Sequence, residues 1–453
     1  MTSCDNIAGF VHSHDRPRSP ARSRIVTLVA TAAFVAGTVV SGSPLDAQDS
    51  SRTKADSAKA RQDSIATRLE RAEEAIKLLQ QQLAGQAQSA VKTRSRLSLE
   101  FHGLVLVTGF SNTRRVNNVD DPQFVRPDTA NGLPQGGAGL AIRQTSVGLA
   151  VTAPEVLGGS FVGDLDVDFF GGQQPSSGGR TFPLLRLRTA RAMISWKYGE
   201  FEVGQDSPLI AGVNPLSLGA LGTPEFVGAG NLWLWLPQIR VGVETGGAVS
   251  LGIQGAVLAP ISADAASAFD TDNDLAEKSG RPYFEGRVHL RWGSDEMAGD
   301  IGVGIHQGWF AAKGDSLLQN QAFTVDAKIP LTNWLELRGE GYDGKGMRAL
   351  GGGAIGQLFS PTGAPVRSRG AWGQVNIKPT PRVTFGGGYG FDDPRDEDLG
   401  AGARLKNEAT SVHVHVRPVG PLVLGFEYRR ILTTYSTGKL ANDHFNLAFG
   451  FEF

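Results

Sequence analysis

Cysteine is nearly missing from this sequence: Cys4 stands alone among 453 residues, which excludes a disulfide scaffold. Neither charge is in surplus. The 44 Lys and Arg face 45 Asp and Glu for a formal net charge of −1, so the basic excess that marks a nucleic-acid binder is lacking. Long apolar runs are scarce as well. Apart from residues 25–40 the chain offers nothing near the roughly 20 apolar residues of a helical span, and a mean hydropathy of −0.15 excludes a polytopic helical membrane protein. Glycine is what the chain has in abundance. Its 59 copies are about 13% of the residues against roughly 7% on average, which suits turn-rich, closely packed sheet rather than helix.

The N-terminus reads as an export signal. Arg16, Arg18, Arg22 and Arg24 precede an apolar run from Ile25 to Val40, and Ser41-Gly42-Ser43-Pro44 leads to a small residue at Ala47, the three parts of a cleavable leader. Residues 1–47 are therefore expected to be removed and to take Cys4 with them. A short disordered stretch, 48–57, is expected next. From Ala58 the composition turns to Ala, Glu, Lys, Arg and Gln, and Ile65, Leu69, Ala72, Ile76, Leu79 and Leu83 alternate steps of four and three. That is a heptad seam, and so short a helix is marginal alone, so 58–84 is expected to be a coiled coil that joins partner helices and oligomerises the chain. Residues 85–96 read as a linker.

At Leu97 the period becomes 2 and stays so to the end. Phe445, Leu447, Phe449, Phe451 and Phe453 share one face of the last segment, with Asn446, Ala448, Gly450 and Glu452 on the other. Val412, Val414 and Val416 likewise oppose Ser411, His413, His415 and Arg417, and Phe284, Val288, Leu290 and Trp292 oppose Glu285, Arg287, His289 and Arg291. The alternation predicts strands near 97–110, 142–152, 160–170, 185–198, 201–205, 232–245, 248–258, 283–292, 299–310, 322–330, 334–342, 371–378, 383–390, 409–417, 422–431 and 444–453. Connections on one side are long (111–141, 171–184, 206–231, 259–282, 343–370, 391–408) and on the other side short. An even strand number with one trimmed end is the pattern of an all-β, transmembrane antiparallel barrel of a Gram-negative outer membrane, here spanning 97–453.

Alternation also sorts the lumen. Asp164, Asp166 and Asp168 oppose Leu165, Val167 and Phe169, and the next segment turns Arg186 and Arg188 the same way. Acidic and basic ladders on neighbouring strands would set a transverse field across a water-filled pore. Arg143, Arg240, Arg287, Glu336, Arg338, Glu340, Arg417 and Arg429 are further inward candidates. The third long connection, 206–231, carries Leu209, Ile210, Val213, Leu216, Leu218 and Leu221. It is expected to fold into the lumen or to pack at a subunit interface; in the lumen it would leave Asp206, Asn214 or Glu225 at the solute path. Gly351–Gly356 fits a nucleotide-loop spacing without the flanking strand and helix and reads as a flexible loop. Asp270–Asp274 opens like a calcium loop, yet Leu275 stands where Gly belongs. No metal, cofactor or catalytic set is expected.

Several short runs carry a resemblance. They are Arg143-Gln144-Thr145-Ser146-Val147-Gly148-Leu149, Asp166-Val167-Asp168-Phe169-Phe170-Gly171-Gly172, Leu185-Arg186-Leu187-Arg188-Thr189-Ala190, Val203-Gly204-Gln205-Asp206, Asn214-Pro215 and Pro237-Gln238-Ile239-Arg240. Together with the heptads ahead of them they resemble the DcaP-like trimeric porins, though Thr189 and Arg191 stand where that family usually has aromatic or His residues. The resemblance implies a sixteen-stranded homotrimeric barrel, a periplasmic coiled coil and passive uptake of small, often anionic solutes, without catalysis. The aromatic end at Phe453 resembles the signal read by the barrel-assembly machinery. The partners expected are outer-membrane lipid and lipopolysaccharide, small solutes and two further copies of the chain, with no nucleic acid. Two other readings stay open: a barrel hydrolase with its site at the rim, and a plugged barrel that tethers the surface or peptidoglycan.

Overall fold

The computed structural model describes residues 90–92, 97–172, 182–262, 272–294 and 297–453. Residues 1–47, read from the sequence as an export signal, the heptad residues Ile65 to Leu83 and Asp270 lie outside them. Among the described residues, sixteen barrel strands follow one another: β1 (Ser98–Asn112), β2 (Gly137–Ala141 with Ser146–Val156), β3 (Gly159–Asp168), β4 (Arg186–Ser195), β5 (Gly199–Asp206), β6 (Leu236–Glu244), β7 (Val249–Leu258) and β8 (Tyr283–Trp292). They continue as β9 (Gly299–Ala311), β10 (Leu317–Thr332), β11 (Leu335–Lys345), β12 (Arg367–Thr380), β13 (Val383–Pro394), β14 (Lys406–Val416), β15 (Leu422–Tyr435) and β16 (Gly438–Glu452). Each pairs antiparallel with the next, and β16 returns to β1 with Phe449 opposite Val107. The sheet therefore has no edge. The ladder N–H and C=O groups pair strand to strand around the wall, as hydrocarbon requires.

The wall is inverted relative to a soluble protein. Ile305 and Leu447 are 63% and 62% exposed, whereas Arg240, His306 and Asn446 are 2%, 3% and 1% exposed. Apolar side chains look out on every second residue and polar ones look in. No helix among the described residues is long and apolar enough to cross a membrane.

Long connections gather at one end: L1 (113–136), L2 (169–185), L3 (207–235), L4 (259–282), L6 (346–366) and L7 (395–405). Two connections at that end are shorter than the sequence pattern suggested. The hairpins β9–β10 and β15–β16 run on to 312–316 and 436–437. Their outer faces turn polar there, with Arg430 Nη1 3.0 Å from Asp443 Oδ1, so the apolar alternation fades while the ladder continues. A third difference lies in β2. Residues 142–145, expected in a strand, form a break between its two halves, where the Thr145 hydroxyl takes over the Leu106 ladder position, accepting its N–H at 3.0 Å and donating to its C=O at 3.3 Å. Finally, Gly351–Gly356 is no loose loop: Ala354 and Ile355 are fully buried, and Ile355 N donates to Asp392 Oδ2 at 3.1 Å.

The outward face predicts a directional result. Leu447→Arg places a charge against lipid and should cost about 2–4 kcal/mol at midplane depth, read as a lower urea midpoint for barrels refolded into vesicles. An unchanged midpoint would contradict the outward assignment.

Candidate lumenal site

L3 builds the site. It leaves β5, a strand that ends inside the barrel wall, and its apolar residues can escape water only by packing into the lumen. Leu209, Ile210, Leu216 and Leu218 are all buried, each such side chain contributing about 1.5–3 kcal/mol relative to exposure. The wall has matching apolar spots. Leu209 and Ile210 join Leu258, Tyr283 and Phe310, and Leu218 packs on Leu104, Leu106, Val423 and Ala448, which face inward. Phe226 stacks on Trp372 with centroids 5.9 Å apart, and this contact holds it at φ 64°, a left-handed backbone a Phe rarely adopts. Gly230 permits a close approach: a Cβ there would run into the Ala371 backbone.

Wall carboxylates and amides tie the loop down. Glu427 Oε2 accepts from Ser217 Oγ at 2.6 Å while Oε1 accepts from Leu218 N at 2.5 Å. His415 Nε2 lies 2.8 Å from the same Oε1. Gln374 Oε1 accepts from Leu216 N at 2.7 Å, Gln144 Oε1 from Leu221 N at 2.5 Å, and Glu340 Oε1 from Leu232 N at 3.2 Å. L3 is thus held from β2, β11, β12 and β15 at once. It fills part of the lumen; Asp206, Asn214 and Glu225, which the sequence pattern set at the solute path, are buried against the wall instead.

The predicted inward charges fall into three sets. Arg143 sits in the β2 break and grips L1, its Nε 2.9 Å from Asp120 Oδ2 with a second, shorter bond to Oδ1. Arg240 and Glu340 hold the two ends of L3, Arg240 Nη2 donating to Ser207 O at 2.7 Å, and Arg429 holds Asp121 of L1 and Glu225 of L3 at 3.2 and 3.3 Å. A second set pairs along the wall: Arg287 Nη2 with Asp300 and Asp326, each at 2.5 Å, Arg338 with Glu336 at 2.5 Å, and Arg417 with Glu452 at 2.9 Å.

The third set contains Asp164, Asp166, Arg186 and Arg188, whose side chains keep partial access, together with Asp168, which is fully buried. Arg186 forks onto Asp168 at 3.0 and 2.6 Å. Its guanidinium also lies 5.0 Å from the Trp235 ring and 5.3 Å from Phe170. Arg188 lies 5.1 Å from Trp235, its carboxylate neighbour Asp168 being 3.8 Å away. His102 Nε2 is 3.1 Å from Asp166.

Strict alternation missed Arg191. The β3–β4 register slips between Asp166 and Val167, so that Arg188 and Thr189 together face Asp166, and this bulge brings Arg191 inward. There it reaches Asp164 and Asp206, both at 2.7 Å, and Glu202 at 3.7 Å. Trp233 and Trp235 were missed for another reason: 232–235 alternates like strand but is the return limb of L3. Thr223 N donates to Asp121 Oδ2 at 3.2 Å. Burial pushes the Asp121 carboxyl up to about 7 against the pull of Arg429, and it does the same to Glu225, aided by Glu427.

Other sequence candidates resolve more simply. His413 and His415 stack at 4.3 Å, and no described trio of His, Cys, Asp or Glu is placed to hold a metal. Asp274 Oδ1 accepts from the amides of Ala276 and Glu277 at 2.8 and 3.0 Å, capping a 3₁₀ turn.

A closed barrel, apolar outside, charged inside and narrowed by its inward third loop, has the architecture of an outer-membrane porin. Solved structures agree. The chain is similar to the outer membrane channel DcaP of Acinetobacter baumannii, with TM-score 0.62 and 17% identity over 81% of this chain and 100% of that one. It is similar to an anion-selective porin from Comamonas acidovorans at 0.52 and 14%, over 79% and 100%. Salmonella typhi OmpF in complex with daunomycin matches at 0.50 and 10%, over 80% and 100%. At these identities the likeness is one of fold. No family model and no curated protein matches the sequence.

Two outcomes follow from the anchoring. A hydrogen bond to a charged acceptor contributes about 1.5–3 kcal/mol, so Glu427→Ala should cut amide-exchange protection at Leu218 by at least about tenfold; undiminished protection would mean that the loop is held elsewhere. Asp121 titrates higher in the folded barrel than unfolded, so the folded state binds the extra proton between about pH 4 and 7 and this group's contribution to stability declines as pH rises through that window. Thermal midpoints in detergent should therefore show Asp121→Asn gaining on the wild type from pH 5 to pH 8, and a constant difference would refute the assignment.

Proposed function

We propose that the chain is an outer-membrane porin through which small hydrophilic, preferentially anionic solutes diffuse passively. The observation that carries this reading is the inverted wall around a charged lumen that L3 narrows. A lipid-facing exterior suits a barrel that spans the membrane, and partly accessible guanidinium groups suit a path for anions. Arg186 and Arg188 are the residues to which we assign selectivity. Both lean on Trp235, and Asp168 is bound in two-pronged fashion to Arg186 alone, so Arg188 retains donors for a passing anion. Asp164 and Asp166 provide the opposing ladder, and Arg191 with Arg240 keeps the mouth of L3 in place.

The remaining parts of the reading rest on sequence. Export through the leader at 1–47, a periplasmic coiled coil over 58–84 after a disordered 48–57, a linker at 85–96 and a homotrimer are proposed from the heptads and from the resemblance to DcaP-like porins. Phe445, Leu447, Phe449, Phe451 and Phe453 all project outward, where lipid, lipopolysaccharide and, during insertion, the barrel-assembly machinery would meet them. The chain is read as a conduit and not as a catalyst.

Planar bilayers test this reading. Purified protein should open in steps that come in threes, with a reversal potential under a salt gradient that favours anions. Arg186→Ala/Arg188→Ala should reduce that preference. Folded protein that inserts silently would overturn the reading, and an unchanged reversal potential in the double variant would remove these two arginines from it.

A further inference from the structure

The outer face of the barrel carries a groove at the long-loop end of β5, β6 and β7. It is a shallow, open depression of about 700 Å³, and its floor includes the outward-facing Val203, Pro237, Ile239 and Val257. Local backbone makes the dent. Gly204 adopts φ 139° and lies so close to β4 that a Cβ would strike Ala190 O, while Pro237, opposite Gln205, brings no ladder N–H of its own. The L4 turn from Glu277 to Pro282 forms the far side and sets Arg281 at the upper rim.

Arg281 is exposed and lies 5.1 Å over the Trp309 ring, which itself meets Phe284 edge-on at 6.2 Å. Among the described residues its guanidinium faces no carboxylate. Glu277, the acidic group nearest in the turn, directs Oε2 at the Asp274 amide, 2.8 Å away. The groove thus has an apolar floor continuous with the outward-facing wall and, at its top, a cation that among the described residues faces a ring but no carboxylate, at the level where strands give way to loops. Aromatic residues and snorkelling arginines mark that level as the boundary between acyl chains and headgroups.

We propose that this groove binds one phosphorylated membrane lipid, with an acyl chain along Val203, Ile239 and Val257 and its phosphate on Arg281. The inference rests on the barrel spanning a membrane and is independent of what passes through the lumen. A guanidinium recognises phosphate through two parallel charge-assisted hydrogen bonds, and an apolar floor without the cation would hold any chain indifferently.

Native mass spectrometry of the full chain in detergent, titrated with phosphatidylglycerol, tests it. Wild type should retain one lipid at low occupancy of all other sites. Arg281→Ala should weaken that binding about tenfold, and Val257→Trp, which fills the floor from outside the barrel wall, should do the same while the protein keeps its heat-modifiable mobility on gels. Inorganic phosphate alone should give no adduct. Equal lipid retention by wild type and both variants would overturn the proposal. So would efficient disulfide linkage of Ile239→Cys to a second copy, which would make the groove an interface between protomers. A silent channel that still binds lipid through Arg281 would sink the transport reading and leave this one standing.

Discussion

Hydrocarbon offers a peptide group nothing to bond with, and each unpaired N–H or C=O there costs several kcal/mol. The sheet of this protein answers by closing on itself between β16 and β1. Closure then dictates the rest. With every ladder bond satisfied in the wall, side chains are free to obey the two solvents on either side, and the strict period of two follows from the pleat. The glycine richness has a place in this scheme: many inward glycines face large lumenal side chains, as Gly252 faces His289 and Gly386 faces His413.

L3 obeys the same constraint from the other direction. A loop with this much leucine cannot lie in water, and the lumen of a sixteen-stranded barrel gives it a surface to cover. The wall has adapted to it in two ways. Leu104, Leu106 and Val423 stand inward where polar residues would be expected, forming a dry spot for Leu218, and Glu427, Gln374, Gln144 and Glu340 accept its backbone donors. Burying backbone without such partners would cost more than the apolar contacts return. Charges that look like a selectivity ladder in one dimension are therefore often structural in three, as Arg143, Arg240 and Arg429 show.

How much of this was legible in the sequence depends on which force wrote it. Strands such as β8, β13 and β14 could be read because a lipid-facing residue alternates with a lumenal one throughout. Strand ends at Leu317 and Tyr435 could not be placed by that signal because polar residues such as Gln319 and Arg430 enter the outward face there, while Phe310 and Ile431 are buried on the inner one. The bulge at Arg188 left no mark either, since an extra residue in one strand changes the phase without changing composition, and so Arg191 was assigned no role. Trp233 and Trp235 alternate with Leu232 and Leu234 just as a strand would, and only the fold shows them descending from L3. The apolar character of L3 did point to the lumen, whereas its individual anchors lie up to 210 residues away in sequence, as between Ser217 and Glu427, and pairings at that range have no local signature.

The central physical claim is that successive residues of one strand meet two different solvents. Nitroxide labels on single cysteines at Leu337 and Arg338, introduced with Cys4→Ser and reconstituted in bilayers, measure it directly. The label at 337 should be relaxed by dissolved oxygen and shielded from a water-soluble nickel chelate, and the label at 338 should show the opposite. Equal access of the chelate to both positions would contradict it.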